Sequence, residues 1–264
     1  MVPVQRTSSR VCVVTGASRG LGEALSIVAA KRGCSVVLVG RDAKRLEAVG
    51  ARCEASGADA VTLIHADLGS ATGVQRVCQS LGGGLLARYR SVVLFNNAST
   101  VEPIELFADV SFADIERALR LNVSAPFALA STLARLNRVT NASETCVVNI
   151  SSGVAVHPVM GWSAYCVSKA ALNMVTKCAA IETASTQRPI FALAINPGPL
   201  DTQMQERIRS ADGDKIPATQ RFSTMFSEGK LKKPEEVAIK IFAILDAKEF
   251  ASGTFVDFNE LEAR

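Results

Sequence analysis

The sequence predicts an α/β fold in which a doubly wound parallel sheet of about seven strands carries helices on both faces. Three observations support this: the apolar runs are short and nearly continuous, longer amphipathic segments separate them, and the two kinds of segment alternate regularly. Continuous apolar runs are typical of strands buried on both faces. We expect one domain that spans residues 1–264.

The runs rich in β-branched residues are predicted to be strands and the segments between them helices. The predicted strands are 11–15, 35–39, 60–65, 92–95, 146–150, 191–196 and 254–258. The predicted helices are 22–32, 43–56, 71–81, 112–136, 164–185 and 234–247. Residues 1–9 are expected to form a tail, and the charged segment 199–233 to form a loop region that covers the substrate.

The composition argues against several functional classes. Lysine and arginine are spread along the chain, so nucleic acid is not an expected partner. No apolar run approaches the roughly 20 residues of a membrane helix, and no membrane partner is expected. The seven cysteines form no CxxC pair, which indicates reduced thiols in the cytoplasm. With two histidines, no metal site is expected.

A glycine-rich segment follows the first strand and leads directly into a helix. It contains Gly16, Gly20 and Gly22, with Ser18, Arg19 and Leu21 between them. Glycines allow the backbone to turn sharply and to approach a pyrophosphate, and the helix N-terminus directs amide donors at it. Between the first strand and helix of a βαβ unit, this pattern predicts a dinucleotide site rather than a plain tight turn.

Arginines indicate which dinucleotide binds. In an NAD site an acidic residue at the end of the second strand holds the ribose 2′-hydroxyl, but here Arg41 stands near that position. Two guanidinium groups, Arg19 and Arg41, suit a 2′-phosphate, so NADPH is favoured over NADH. The alternative for Arg41 is a solvated surface residue. Asp42 is interpreted as the N-cap of the following helix rather than as a ribose ligand.

The third strand ends in His65-Ala66-Asp67-Leu68. The Asp67 carboxylate can accept a hydrogen bond from the adenine amino group. It can also cap the next helix, and the two roles are compatible. His65 is interpreted as a strand residue rather than a ligand.

A tyrosine and a lysine provide the candidate reactive groups. Tyr165 and Lys169 stand four residues apart in a predicted helix and therefore share a face. An ammonium beside a phenol favours the phenolate, so we expect Lys169 to lower the pKa of Tyr165. Ser152 follows the fifth strand and can hydrogen-bond a substrate carbonyl. Asn122, in an apolar helical stretch, is expected to bend that helix and to hold a water that links Lys169 to solvent.

These motifs together resemble the short-chain dehydrogenase/reductase family. The resemblance rests on the glycine segment, Asn96-Asn97-Ala98, Asn122, Ser152, Tyr165, Lys169 and Pro197-Gly198, and it covers residues 10–258. It implies a Rossmann-type sheet, catalysis by Asn122, Ser152, Tyr165 and Lys169, and an NADPH/NADP⁺ cofactor. One departure is Ser99, where the family usually has glycine.

The resemblance also implies the remaining cofactor contacts, and it implies that the segment Leu200–Gln205, named here the covering segment, lies over the nicotinamide. The implied cofactor-binding residues are Gly16, Ser18, Arg19, Gly20, Leu21, Gly22, Arg41, Asp67, Leu68, Asn97, Ala98, Tyr165, Lys169, Pro197, Gly198, Leu200, Thr202 and Met204.

The last third of the chain is similar to two groups within the family, the sepiapterin reductases and the benzil reductases. The similarity to the first group implies that Asp257 anchors the guanidine-like edge of a pterin, with Ser152, Trp162, Tyr165 and Gly198 also at the substrate. Asp257 as an ordinary end-of-strand acid remains an alternative. For Trp162 the alternatives are a pocket wall and a packing residue.

The implied function is NADPH-dependent reduction of a small-molecule carbonyl compound, either a pterin side-chain ketone or an aromatic diketone. A second hypothesis is a non-catalytic NADP-binding regulator. The predicted helices 112–136 and 164–185 carry more apolar residues than one buried face requires. In the family these helices pair across a two-fold axis, which implies a homodimer or homotetramer.

Overall fold

The computed structural model describes residues 9–140, 142–213 and 216–262. Its centre is a seven-stranded sheet in the order β3-β2-β1-β4-β5-β6-β7, and every neighbouring pair is parallel. The strands are β1 (Arg10–Thr15), β2 (Ser35–Gly40), β3 (Val61–His65), β4 (Ser91–Asn96), β5 (Glu144–Ile150), β6 (Phe191–Asn196) and β7 (Phe255–Asp257). The predicted fold class and all seven predicted strands are confirmed.

Helices cover both faces of the sheet. They are α1 (Gly20–Lys31), α2 (Ala43–Ala55), α3 (Ala71–Ser80), α4 (Phe112–Leu119), α5 (Ala125–Asn137), α6 (Ser163–Ala184), α7 (Gln203–Arg209), α8 (Ala218–Ser227), α9 (Pro234–Ala247) and α10 (Phe258–Glu262). Helices α1, α2 and α9 contribute to the core on one face, and α3 and α5 contribute to the core on the other.

Alternate side chains of each strand enter opposite cores. On β1, Cys12 and Val14 belong to the core under α1 and α9, whereas Val11 and Val13 belong to the core under α3 and α5. All four are at most 1% exposed. A strand buried on both faces needs apolar residues at every position, which explains the continuous apolar runs in the sequence.

The structure differs from the helical predictions in two long segments. The predicted helix 112–136 is divided by a π-helical turn, Arg120–Ser124, which contains Asn122. The segment 199–233, predicted to be a loop region, contains α7 and α8. Helices of seven and ten residues are marginal by themselves. They are stabilised by tertiary packing, which a local pattern does not reveal.

Of the predicted tail, residues 1–8 lie outside the described residues. The Ser9 carbonyl oxygen accepts hydrogen bonds from the backbone amides of Arg90 and Ser91, at 2.8 and 2.9 Å. Within the described part of the chain, no helix is both long and apolar enough to cross a membrane. The same residues contain no group of three or more histidine, cysteine or acidic side chains that could hold a metal ion.

The strand order determines where a ligand can bind. It reverses between β1 and β4, because the chain fills the sheet outward from β1 to β3 and then continues from β4 on the other side. In an open parallel sheet, the carboxyl ends of the strands at such a reversal leave a crevice between diverging loops. Thr15 and Asn96 end the two strands there.

Candidate active site

The glycine segment lies at this crevice. Its first and last glycines, Gly16 and Gly22, leave no room for a side chain. Gly16 has φ +64°, and a Cβ on it would lie 2.9 Å from the Ala98 Cα atom. A Cβ on Gly22 would lie 2.2 Å from the Gly16 carbonyl oxygen. Helix α1 begins at Gly20, and the side chain of its N-cap residue, Arg19, makes no capping hydrogen bond. The first amides of α1 are therefore suited to bind an anion.

Thr15 and Asn97 hold this segment against the end of β4. The Thr15 hydroxyl donates to the Phe95 carbonyl at 3.2 Å and accepts from the Asn97 and Ala98 amides at 2.9 and 3.0 Å. The Asn97 side-chain amide donates to the Thr15 and Gly16 carbonyls at 2.9 and 3.3 Å. We name these contacts the Thr15–Asn97 clasp. It fixes the shape of the crevice floor.

A group of arginines surrounds the outer end of the crevice. The pKa of Arg19 is lowered by partial burial and by the nearby positive charges of Arg207, Arg41 and Arg45. Next to it is a cavity of about 280 Å³, whose lining includes Ser18, Arg19 and Arg45. Mutually repelling guanidinium groups favour binding of an anion, because the anion relieves the repulsion. This end of the crevice therefore fits a phosphorylated nucleotide.

Asp42 and Asp67, which follow the second and third strands, differ in the hydrogen bonds they accept. Asp42 is the N-cap of α2 and accepts from the Arg45 amide at 3.1 Å, as expected. Asp67 does not cap α3: Ser70 is the N-cap and accepts from the Gly73 amide at 3.0 Å. Within the described part of the chain, the bond that the exposed Asp67 carboxylate accepts is local, from the Gly69 amide at 2.9 Å. It therefore keeps acceptor capacity for another group.

Several predicted cofactor residues can contact a ligand only through their backbone. The side chains of Leu21, Leu68 and Leu200 are at most 9% exposed and lie in the protein core. Thr202 lies on the other side of the crevice, and its methyl group would be 3.2 Å from a Cβ on Gly20. The covering segment therefore reaches the glycine segment directly.

Tyr165 and Lys169 are both buried, at 8% and 3% exposure. The Lys169 ammonium donates to the Ile150 carbonyl at 2.7 Å and lies 5.4 Å from the centre of the Tyr165 ring. Burial raises the pKa of Tyr165 to about 12, and the adjacent Ser152 and Ser99 hydroxyls offset this only in part. Burial also lowers the pKa of Lys169 to about 7.

The expected lowering of the tyrosine pKa by Lys169 is therefore wrong for this chain. Desolvation disfavours both charged forms, and the groups that lower the phenol pKa are the Ser152 and Ser99 hydroxyls rather than Lys169. The result is a phenol that keeps its proton and an amine that is only partly charged near neutral pH. A protonated phenol suits a proton donor.

Asn122 connects two segments of the site. Its side-chain oxygen accepts from the Thr100 amide at 2.9 Å, and its side-chain nitrogen donates to the Thr100 carbonyl at 2.8 Å and to the Ser168 hydroxyl at 3.0 Å. These contacts explain the π-helical turn, because they draw this side chain away from a regular helix position. They join the segment after β4 to α6, which carries Tyr165.

Aromatic side chains form a wall beside Tyr165. Trp162 stacks on Phe222 from α8, with ring centres 5.4 Å apart and 12° between the planes. It meets Tyr165 edge-on at 6.1 Å. Met204 and Ile208 belong to the same cluster. The wall could enclose a flat, apolar substrate, and the buried Trp162 indole nitrogen has no hydrogen-bond partner among the described residues.

Asp257 and Gly198 lie at the same edge of the sheet, further from β1. Asp257 pairs in register with Asn196, and its carboxylate accepts from the Asn259 amide at 2.8 Å. Gly198 has φ +79°, and a Cβ on it would lie 2.8 Å from the Asn259 side-chain oxygen and 3.2 Å from the Lys232 amine. The Asp257 carboxylate thus has a structural contact and retains capacity for a second partner.

Comparison of the sequence with known proteins shows its family, and the similarity extends over most of the chain. A family model described as short chain dehydrogenase matches residues 10–213. The chain belongs to this family. It is 30% identical to the benzil reductase ((S)-benzoin forming) of Bacillus cereus over 95% of this chain and 100% of that protein. It is 34% identical to the sepiapterin reductase of Rattus norvegicus over 97% and 98%, respectively.

The fold comparison agrees with the sequence comparison. The short-chain dehydrogenase from Sphingobium yanoikuyae, solved in complex with NADPH, superposes with a TM-score of 0.76 at 26% identity. The superposition covers 94% of this chain and 87% of that one. The chain is therefore an oxidoreductase of the short-chain dehydrogenase family.

Sequence reasoning missed Arg45, Arg207 and Phe222. Arg45 lies in the first turn of α2, and its proximity to Arg41 and Asp42 in the sequence was a usable signal. Arg207 and Phe222 lie on α7 and α8, so no signal was available without those two helices. Ser99 was noted only as a departure from the family pattern.

We predict that Lys169→Met removes a pH dependence of stability. Folding lowers the pKa of this amine from 10.5 to about 7, so the unfolded chain binds more protons between these values. Stability of the parent protein should therefore rise through this window, by up to about 1.4 kcal/mol per pH unit. Urea unfolding of both proteins at pH 7, 8 and 9 measures the difference. A stability gap that stays constant with pH would contradict the prediction.

Proposed function

We propose that this chain catalyses NADPH-dependent reduction of a ketone with a second oxygen on the neighbouring carbon. The side-chain ketone of a pterin such as sepiapterin is the leading substrate, and an aromatic diketone such as benzil is the alternative. The observation that carries the proposal is the buried, protonated Tyr165 phenol with the Ser152 hydroxyl beside it. The names of the relatives support both substrates.

NADP(H) is the cofactor of this chain, and the crevice fits it. The α1 amides and the glycine segment are suited to the pyrophosphate. We assign the 2′-phosphate to Arg19 and Arg41, with Arg45 close by. Asp67 is assigned to the adenine, and the backbone around Gly198 and Thr202 to the nicotinamide end. When bound, NADPH supplies a hydride.

The protein residues position the carbonyl and supply the proton. Tyr165 donates its proton to the carbonyl oxygen, and Ser152 donates a hydrogen bond to the same oxygen. The Ser152 oxygen accepts from the Val154 amide at 3.4 Å, and this bond does not use the hydroxyl proton that Ser152 would donate to the substrate. Lys169 stabilises the phenolate that remains, and Asn122 fixes the adjacent backbone. Overall, one ketone, one NADPH and one proton give one alcohol and NADP⁺.

Two single variants should separate catalysis from cofactor binding: one should lower kcat, and the other should weaken NADPH binding. Tyr165→Phe removes the proton donor and should lower kcat by about 10²–10⁴-fold while the dissociation constant of NADPH changes much less. Arg41→Ala should weaken NADPH but not NADH and leave kcat at saturating cofactor nearly unchanged. Steady-state kinetics and fluorescence titration measure both. Full activity of Tyr165→Phe would exclude the proposed mechanism.

The two candidate substrates can be separated at Asp257. Asp257→Asn keeps an oxygen that can accept from the Asn259 amide but loses the charge that binds two parallel N–H groups. If a pterin is the substrate, kcat/KM for sepiapterin should fall while kcat/KM for benzil stays unchanged. An equal fall for both substrates would make Asp257 a structural residue. Activity on benzil alone in the parent protein would favour the diketone alternative.

We also propose that the chain is a homodimer or homotetramer assembled through α6. Val167, Met174 and Ile181 are seven residues apart, so they form one stripe, and they are 59%, 57% and 74% exposed. On α5, Phe127 is 55% exposed. Such exposed apolar stripes are typical of interfaces.

Light scattering tests this assembly. The parent protein should have at least twice the mass of one chain at micromolar concentration, and Met174→Glu should reduce it. Ile239→Glu, at a site of similar exposure on α9, is the matched control and should leave the mass unchanged. A monomeric parent protein would exclude the assembly.

A further inference from the structure

The Ser99 hydroxyl is a buried polar group without a hydrogen-bond partner among the described residues. Leaving such a group unpaired costs about 1–3 kcal/mol. The residue stands where the family usually has glycine, and its backbone is not in the left-handed region that would favour glycine. A hydroxyl retained at this cost points to a partner that is not part of the chain.

The backbone on both sides of Ser99 is fixed. The Ala98 amide donates to the Thr15 hydroxyl at 3.0 Å. The Thr100 amide and carbonyl both bond the Asn122 side chain, at 2.9 and 2.8 Å. Because Asn122 also binds Ser168 on α6, Ser99 is held at a defined position relative to Tyr165.

Ser99 faces the reacting group. Its hydroxyl, like that of Ser152, is close enough to the Tyr165 phenol to lower the phenol pKa. It nevertheless makes no hydrogen bond of ordinary length and angle with that phenol. The hydroxyl groups of Ser99, Ser152 and Tyr165 are therefore neighbours in the pocket, and the Ser99 hydroxyl has no hydrogen-bond partner among the described residues.

The number of acceptor sites on the substrate shows what the third hydroxyl can do. A carbonyl oxygen has two lone pairs. In the proposed function these accept from Tyr165 and Ser152, so a simple ketone leaves Ser99 unpaired. An oxygen on the neighbouring carbon offers further lone pairs within the same pocket.

We propose that Ser99 is a specificity-determining residue that hydrogen-bonds the second oxygen of an α-diketone or α-hydroxyketone. This inference rests on the proposed roles of Tyr165 and Ser152. A site that contains a donor for a substrate oxygen discriminates against an analogue without that oxygen, because the buried donor then stays unpaired. Glycine at the same position would give no such discrimination.

Two activated aryl ketones test it: 1-phenyl-1,2-propanedione, and 2,2,2-trifluoroacetophenone, in which a trifluoromethyl group replaces the acetyl group. Ser99→Ala should lower kcat/KM for the dione by about tenfold, the effect of one lost hydrogen bond. For the trifluoromethyl ketone it should stay within about twofold of the parent value.

Three controls exclude a merely structural role. Ser99→Thr keeps the hydroxyl and should keep most of the preference for the dione. Ser151→Ala removes a hydroxyl that already donates to the Asn173 side chain at 2.6 Å, and it should change both substrates in parallel. Ser99→Ala breaks no hydrogen bond of ordinary length and angle within the described chain, so its Tm should stay close to that of the parent protein.

The outcomes separate this inference from the proposed function. An equal loss for both substrates in Ser99→Ala would show that the residue acts through Tyr165. An unchanged kcat/KM for the dione would show that the residue has no role. Either result overturns the inference and leaves the reductase function intact. A parent protein that binds NADPH but reduces neither of these ketones, nor sepiapterin, nor benzil overturns both.

Discussion

The site depends on the Thr15–Asn97 clasp across the point where the strand order reverses. The loops after β1 and β4 diverge at the carboxyl ends of these parallel strands, so they stay in contact only where side chains join them. One threonine hydroxyl and one asparagine amide make that junction. The glycine segment, which lies against Ala98, and the backbone that carries Ser99 both take their positions from it.

The burial of Tyr165 and Lys169 determines the chemistry of the site. A solvated tyrosine and lysine would have separate pKa values near 10 and 10.4, with little interaction between them. Burial moves the tyrosine pKa up and the lysine pKa down, so the phenol keeps its proton and the amine is only partly charged near neutral pH. The same burial makes every unpaired hydroxyl costly, and the polar groups on this wall are therefore informative about substrate chemistry.

Thr202 and the helices α7 and α8 that follow it join the cofactor crevice to the substrate pocket. At one end, Gln203 accepts from Arg19 and Thr202 lies against Gly20. At the other end, Phe222 stacks on Trp162 beside the tyrosine. Arg207 donates to Glu102 at 2.7 Å and ties α7 to the segment after β4. One charged stretch of the sequence thus contacts both the cofactor crevice and the substrate pocket.

The sequence by itself determined the sheet, its strands and the positions of the glycine segment, Ser152, Tyr165 and Lys169. Strand burial leaves a continuous apolar run, and helix spacing of i and i+4 leaves a shared face, so both can be read locally. Tertiary structure alone decided the rest. Long-range bonds from Asn122 placed the π-helical turn, packing created α7 and α8, and burial set the direction of the Tyr165 pKa. The solitary Ser99 hydroxyl could not be read from the chain, because a missing partner is visible only when all neighbours are in place.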